Sequence, residues 1–167
     1  MPIFGTVNPE APFSRQMVKG QTNLKILASH SLYNRPEMDA VFGDALYVTI
    51  LREPAAQFES AFAFFNMAKD LHLEQAESPI GTFMRNPKRY MGMQGFRYSE
   101  RALNDQFRVL GLPSSAFLDE SLIRYKFKQL EVQFDLVMIN EYFDESLILL
   151  KNIFCWQFDD MLYLSKN

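Results

Sequence analysis

The sequence predicts an α/β fold in which a central parallel sheet is flanked by helices. The first observation is a unit of strand, tight turn and helix over residues 46–65. The second is a pair of further apolar segments, 24–28 and 134–139, that have the length and composition of strands. Segments with helical spacing separate the strands. Such a series favours a parallel sheet with right-handed crossovers.

The composition is that of a globular chain. Of the 167 residues, 48% are hydrophobic and 14% are aromatic, which is enough for one domain with a packed core. The net charge of −3 argues against a nucleic-acid-binding protein that works through a broad basic face. Cys155 is the single cysteine, so an internal disulfide is excluded, and its apolar surroundings predict a buried thiol. No apolar run approaches the ~20 residues that span a bilayer, and we expect no signal peptide in this sequence.

The first part of the chain is expected to be mostly loop. Residues 1–23 are rich in Pro, Gly, Asn and Ser, which favour turns over regular elements. A short strand follows at 24–28. The next segment, 36–42, predicts a helix that ends at Gly43.

The central unit begins with the unbroken apolar run 46–51, which is typical of a strand buried on both faces of a parallel sheet. Pro54 suits the first turn of a helix, where its missing N–H costs nothing. The helix after it is apolar on all sides. We therefore expect it to be buried and to run to about Lys69.

The rest of the chain alternates helices with loops and one further strand. The first predicted elements are a helix capped by Ser78 that runs to about Arg85 and ends at Asn86-Pro87, and a glycine-containing loop over 91–99. They are followed by a helix capped by Ser99 that runs through Val109, an amphipathic helix over 118–132, a strand over 134–139 and a helix capped by Asp144.

An arginine stands at the carboxyl end of the central strand, where ligands of open α/β sheets bind. The helix that follows Arg52 is expected to offer free N–H groups and a partial positive charge. A guanidinium can hold a phosphate through two parallel hydrogen bonds, so this turn predicts a phosphate site. The alternative is an ion pair between Arg52 and Glu53 or Glu59, with Ser60 as a small packing residue.

Three stretches of the chain resemble one enzyme family. Arg52-x-Pro54 followed by Ser60, within ILREPAAQFES, resembles the 3′-phosphate-binding element of sulfotransferases that use 3′-phosphoadenosine 5′-phosphosulfate (PAPS), in the form found in the galactose-3-O-sulfotransferases. HSLYN, residues 30–34, resembles a short motif before that strand, and 134–163 resembles the late segment of the family. The resemblance implies a P-loop-type three-layer sulfotransferase fold, of which residues 1–167 would form a single, partial domain.

The resemblance also implies the donor and the acceptor. PAPS would supply the sulfuryl group to the 3-hydroxyl of a terminal galactose, on a glycolipid such as galactosylceramide or on a glycan. Arg52 and Ser60 would bind the 3′-phosphate. His30, at a predicted strand end that faces the same crevice, suits the base that takes the hydroxyl proton. The family has two histidines where this chain has Ser29-His30, so the position that matters stays open, as does a capping or core role for His30.

Two more polar residues are candidates for acceptor binding. Glu141 follows the strand 134–139 at its carboxyl end, and the alternative is a charge that merely closes the strand. Asn34 matches a family asparagine, and a structural role is the alternative. We expect no metal site, because Asp159 and Asp160 have no third ligand at suitable spacing.

One part of the family pattern is not found. The family holds the 5′-phosphosulfate with a lysine-containing loop, but Lys19 and its neighbours lack a preceding apolar strand. The chain therefore resembles the middle and later part of a sulfotransferase domain.

The alternative function is that of an inactive fragment, which binds nucleotide weakly or serves as an interaction domain. A P-loop kinase is disfavoured, since no GxxxxGK[ST] occurs. The resemblance implies a place on the lumenal side of the Golgi membrane, and we expect any membrane link to depend on an anchor outside this sequence.

Overall fold

A computed structural model of the chain describes residues 2–3, 8, 10–28 and 30–163. The α/β class predicted from the sequence is confirmed. The strands and helices are β1 (Pro2–Ile3), β2 (Ile26–Leu27), α1 (Arg35–Phe42), β3 (Val48–Leu51), α2 (Pro54–Phe64), α3 (Met67–Asp70), α4 (Pro79–Arg85), α5 (Pro87–Met91), α6 (Ser99–Val109), α7 (Glu120–Gln133), β4 (Leu136–Ile139) and α8 (Phe143–Phe154). Part of the predicted loop 1–23 lies outside the described residues. Its described part holds a 3₁₀ turn, Arg15–Val18.

The described strands form two separate parallel pairs rather than one central sheet. β1 pairs with β2, and β3 pairs with β4. The prediction of one central sheet that contains the strand 24–28 is therefore wrong, because β2 pairs with β1 and belongs to a different sheet from β3. Parallel pairing of β3 and β4 is confirmed, and the connection between them carries α2 to α7.

The central strand is less buried than its apolar sequence predicts. Ile50 in β3 is 44% exposed, and Val137 in β4 is 40% exposed. A pair of strands has two edges and too little width to bury both faces, so alternate side chains remain accessible.

The helix after the central strand also differs from the prediction. α2 ends at Phe64, and Asn66 adopts a left-handed conformation (φ 50°, ψ 44°) that separates α2 from α3. Asn tolerates that conformation better than most residues. Phe64 is 83% exposed, so α2 is not buried on all sides, and Ala61 and Phe62 are its buried residues.

Local signals misplaced several later boundaries. α5 begins at Pro87 with Asn86 as its cap, in a stretch predicted as the end of a helix and a loop. The first helical residues of α6 and α8 are preceded by Tyr98 and Tyr142, so the predicted caps Ser99 and Asp144 are wrong. Cys155 is exposed rather than buried, since it lies just past the last turn of α8.

An aromatic cluster joins α2 to the helices that follow it. Phe83 of α4 is 2% exposed and lies at its centre. Its ring contacts four others, with centroid distances of 5.5–6.5 Å: Phe58, Phe62, Tyr90 and Phe96. This cluster fixes α2 against α4 and α5, and therefore fixes the start of α2 after Arg52.

A polar clasp holds the amino ends of β3 and β4 together. The Tyr47 hydroxyl donates to Asp39 (2.7 Å), and the Tyr47 N–H donates to Asp135 (2.7 Å). Arg35 lies over the Tyr47 ring at 4.0 Å and donates to the Gln133 carbonyl (2.6 Å). The amino ends of the strands are therefore filled by structural contacts, whereas the carboxyl ends carry the residues of the predicted site. None of the helices in the described part of the chain combines the length and hydropathy that a membrane span requires.

Replacing Phe83 tests the aromatic cluster. Phe83→Ala removes a buried ring, and we expect the free energy of unfolding to fall by about 3–5 kcal/mol. Phe64→Ala is the matched control, because that ring is 83% exposed, and its cost should stay below about 1 kcal/mol. Chemical denaturation of both variants measures the difference, and equal losses would contradict the burial described here.

Candidate functional site

The candidate site lies at the carboxyl ends of β3 and β4. The register pairs Leu51 with Ile139, the last residues of the two strands. Arg52 leaves β3 at this edge, and Glu141 follows β4 at the same edge. Parallel pairing thus brings together two predicted site residues that are far apart in sequence.

The backbone of Arg52 is held by a side chain that the sequence did not single out. The Arg52 N–H donates to Oε1 of Gln106 (2.8 Å), and Nε2 of Gln106 donates back to the Arg52 carbonyl (2.9 Å). The next residue is also held, since the Glu53 N–H donates to Oε1 of Glu141 (3.0 Å). The turn is therefore fixed from α6 on one side and from the end of β4 on the other.

The N–H groups at the start of α2 are occupied, contrary to the expectation that they are free. The Glu53 carboxylate accepts from Ala55 (3.0 Å) and Ala56 (2.7 Å) and so caps the helix. Pro54 has no N–H, and the Gln57 N–H already bonds to the Glu53 carbonyl (2.9 Å). The two bonded N–H groups, Ala56 first, hold the pKa of Glu53 below its ordinary value of 4.5. A phosphate at this turn would therefore meet a carboxylate in the place where helix N–H groups were expected.

The backbone N–H groups of this turn are bonded within the protein, whereas the Arg52 guanidinium is not bonded to any residue that the structure describes. Arg52 forms no salt bridge in the described part of the chain, so the alternative ion pair with Glu53 or Glu59 is not formed. Its Nε is buried and has no hydrogen-bond partner among the described residues. Buried polar groups are almost always satisfied, and an anionic ligand is one kind of partner that a charged donor such as this could take.

Ser60 lies on the exposed side of α2, in the second turn after Arg52. It is about 9 Å along the helix axis from Pro54, at ~1.5 Å per residue. The hydroxyl is accessible, and a ligand that extends along α2 from Arg52 would meet it.

His30 follows β2 and is exposed, while Ser29 lies outside the described residues. No shared sheet joins His30 to Arg52, because β2 and β3 belong to different pairs. α6 joins the two segments instead. The Tyr33 N–H donates to the Val109 carbonyl (2.8 Å), one helical turn beyond Gln106.

The side chains of Glu141 and Asn34 each take part in a hydrogen bond that stabilises the fold. Glu141 uses Oε1 to hold the Glu53 N–H, as described above, and is exposed. Asn34 donates from Nδ2 to the Phe13 carbonyl (2.9 Å) at the start of α1. Glu141 thus lies at the carboxyl edge beside Arg52, whereas Asn34 joins the N-terminal segment to α1.

Sequence reasoning missed two residues of this site. Glu53 could have been found, because an acidic residue directly before a helix that starts with Pro fits the preference for negative charge at helix N-termini. Gln106 carried no such signal. Its partner lies 54 residues away, and an uncharged glutamine inside a helix has no local mark of function.

Comparison with known proteins places the chain among sulfotransferases. The family model described as galactose-3-O-sulfotransferase matches residues 7–167. Galactose-3-O-sulfotransferase 3 of Mus musculus is 39% identical over 145 residues, which cover 85% of this chain and 33% of the relative. Galactosylceramide sulfotransferase of Homo sapiens is 33% identical over 144 residues, with 85% and 34% covered. The chain spans about a third of the length of these curated relatives. No solved structure matches the chain.

The cap at the start of α2 can be tested by pH. Folding lowers the pKa of Glu53, so its carboxylate stabilises the folded chain above the unfolded pKa, near 4.5, and this contribution is lost as pH falls through the lowered value. We expect Glu53→Gln to lower the melting temperature at pH 7 and to have no effect in strong acid. Glu59→Gln, an exposed residue of the same helix, is the control and should follow the wild type at each pH. Thermal unfolding followed by circular dichroism gives the comparison, and a loss that does not depend on pH would contradict the ionic cap.

Proposed function

The chain belongs to the galactose-3-O-sulfotransferase family, as the three sequence matches predicted, and we propose on this basis that it transfers a sulfuryl group from PAPS to the 3-hydroxyl of a terminal galactose. The acceptor would be a glycolipid such as galactosylceramide, or a glycan. The observation that carries the proposal is the buried Nε of Arg52, which has no hydrogen-bond partner among the described residues and lies at the carboxyl edge of β3 and β4. In this proposal the chain forms part of a three-layer sulfotransferase fold, on the lumenal side of the Golgi membrane.

The donor would be held mainly by the side chain of Arg52. The neighbouring backbone N–H groups from Arg52 to Gln57 are already bonded within the protein. Recognition of the 3′-phosphate therefore depends on the guanidinium, which can present two parallel donors to a phosphate. Ser60 would add a hydroxyl donor further along α2. Nothing among the described residues is assigned to the 5′-phosphosulfate.

His30 is the proposed general base. Its imidazole would accept the proton of the 3-hydroxyl while the hydroxyl oxygen bonds to sulfur and the bond from sulfur to the phosphate oxygen breaks. His30 is exposed, and histidine is the side chain that most often serves as a general base. Support for its place comes from α6, which bonds both to Arg52 and to the segment that contains His30.

Glu141 and Asn34 are the proposed acceptor contacts. Glu141 has one carboxylate oxygen on the Glu53 N–H, and the other oxygen is available to accept from a sugar hydroxyl. Asn34 donates through its amide nitrogen to Phe13, which leaves its amide oxygen as an acceptor. Both would orient the galactose rather than take part in proton transfer.

Binding of adenosine 3′,5′-bisphosphate tests the donor site. Charged hydrogen bonds contribute about 1.5–3 kcal/mol, so Arg52→Ala should weaken binding roughly 10- to 100-fold. Arg52→Lys keeps the charge but not the two parallel donors, and we expect an intermediate loss. Isothermal titration calorimetry on the folded chain measures each affinity.

Adenosine 5′-monophosphate is the control ligand, since it lacks the 3′-phosphate, and its affinity should be the same for wild type and variants. An equal loss for both nucleotides would contradict the assignment of Arg52. A sulfuryl-transfer assay with galactosylceramide then separates the two functions. Turnover that His30→Ala abolishes supports the enzyme, whereas tight binding without turnover supports the inactive nucleotide-binding alternative.

A further inference from the structure

We propose that Gln106 is a positioning residue of the 3′-phosphate site, which sets the direction of the Arg52 side chain. The inference rests on the proposed function, because it requires Arg52 to bind the 3′-phosphate. Gln106 itself would not touch the nucleotide. Its effect would pass through the backbone of Arg52.

Two hydrogen bonds define the contact. The planar amide of Gln106 accepts from the Arg52 N–H (2.8 Å) and donates to the Arg52 carbonyl (2.9 Å). A neighbouring β-strand would engage the same two groups in the same way. A single hydrogen bond would allow the Arg52 backbone to rotate about that bond. Two hydrogen bonds to the same residue fix both the position of this backbone and its rotation about the strand axis.

Arg52 is the residue that most needs this support. The ladder between β3 and β4 ends at Leu51 and Ile139, so Arg52 is the first residue beyond it. An unsupported residue at this point would move with the turn that follows. The hydrogen bonds from Gln106 continue the backbone pairing of β3 by one residue. The side chain of Arg52, which in this proposal binds the phosphate, is therefore attached to a fixed backbone.

α6 has an irregular shape that serves this contact. The helix is interrupted at Asn104, whose backbone is extended (φ −169°, ψ 95°). The Asn104 side chain caps the second half of the helix by accepting from the Phe107 N–H (3.1 Å). Gln106 lies in the first turn of this second half, so the interruption sets the direction in which it leaves the helix.

Ion pairs hold the same helix against the N-terminal segment of the chain. Arg108 is 6% exposed and bonds to Asp105 (2.9 Å) and to Glu10 (3.1 Å). Arg101 bonds to the same two acids. These ion pairs limit the movement of α6. The side chain of Gln106 therefore holds the backbone of Arg52 in one position.

The chemistry of the amide suggests a variant that can be switched by pH. Gln106→Glu has the same size, but an ionised carboxylate only accepts and cannot donate to the Arg52 carbonyl. It also places a negative charge beside the phosphate site. Protonated Glu has one donor and one acceptor again, so lowering the pH should restore both bonds.

The experiment measures selectivity rather than affinity alone. The affinity ratio of adenosine 3′,5′-bisphosphate to adenosine 5′-monophosphate isolates the contribution of the 3′-phosphate. At pH 7.5 we expect Gln106→Glu to lower this ratio about tenfold or more, with little change for the monophosphate. At pH 3.5, below the ordinary carboxyl pKa of about 4.3, the ratio should return towards that of the wild type measured at the same pH, a comparison that removes the ionisation of the phosphate itself.

Matched variants complete the test. Gln129→Glu makes the same charge change on α7, where Gln129 donates to the Tyr125 hydroxyl, and should leave the ratio unchanged. Arg52→Ala sets the lower limit of the ratio. Gln106→Ala should lower the ratio at both pH values. If the alanine variant does not fold, the isosteric variant Gln106→Glu alone tests the role of Gln106.

The outcomes separate the inference from the proposed function. A wild-type chain that does not prefer the bisphosphate would overturn both. A preference that is lost in Arg52→Ala but retained in Gln106→Glu at pH 7.5 would overturn the role of Gln106 alone. Equal weakening of both nucleotides, together with a lower melting temperature, would show that Gln106 only stabilises the fold.

Discussion

The parallel pairing of β3 with β4 is the constraint on which the rest of the site depends. It places the ends of two strands side by side, and with them Arg52 and Glu141. The polar clasp around Tyr47 secures the amino ends of the same strands, so the strand pair is held by structural contacts at one end and carries the candidate site residues at the other. α2 and α6 are then placed by their contacts with the turn that leaves β3.

In the turn after β3, one side chain, that of Arg52, is the candidate for recognition of an anion. Its backbone donors bond to Gln106, to Glu141 and to the cap at Glu53, so the peptide groups contribute rigidity rather than ligand contacts. The guanidinium of Arg52 keeps a buried nitrogen without a partner among the described residues. A ligand at this edge would be selected by the geometry of a guanidinium and less by the general attraction of a helix N-terminus for anions.

Local features of the site could be predicted from the sequence, and non-local ones could not. The apolar run that ends at Arg52 and the proline two residues later specify strand, turn and helix within about ten residues, and α2 begins where Pro54 predicts. The separation of the two strand pairs, the exposure of Ile50 and the contact of Gln106 depend on distant segments. An apolar run shows that a strand can be buried, but not which element covers it. The interruption of α6 at Asn104 is local, yet an asparagine within a helical pattern has no unique meaning until its capping bond is seen.

The separation in sequence of the contacts around Arg52 has a consequence for folding. Gln106 lies 54 residues from Arg52, and Glu141 lies 88 residues from Glu53. Contacts of this kind close long loops, and their entropic cost must be met before they stabilise anything, which makes such topologies slow to fold. The turn that carries Arg52 therefore acquires its final shape only when the chain from β3 to beyond β4 has collapsed. Nucleotide binding would then report on the folding of this whole stretch, and a bound nucleotide would stabilise all of it by mass action.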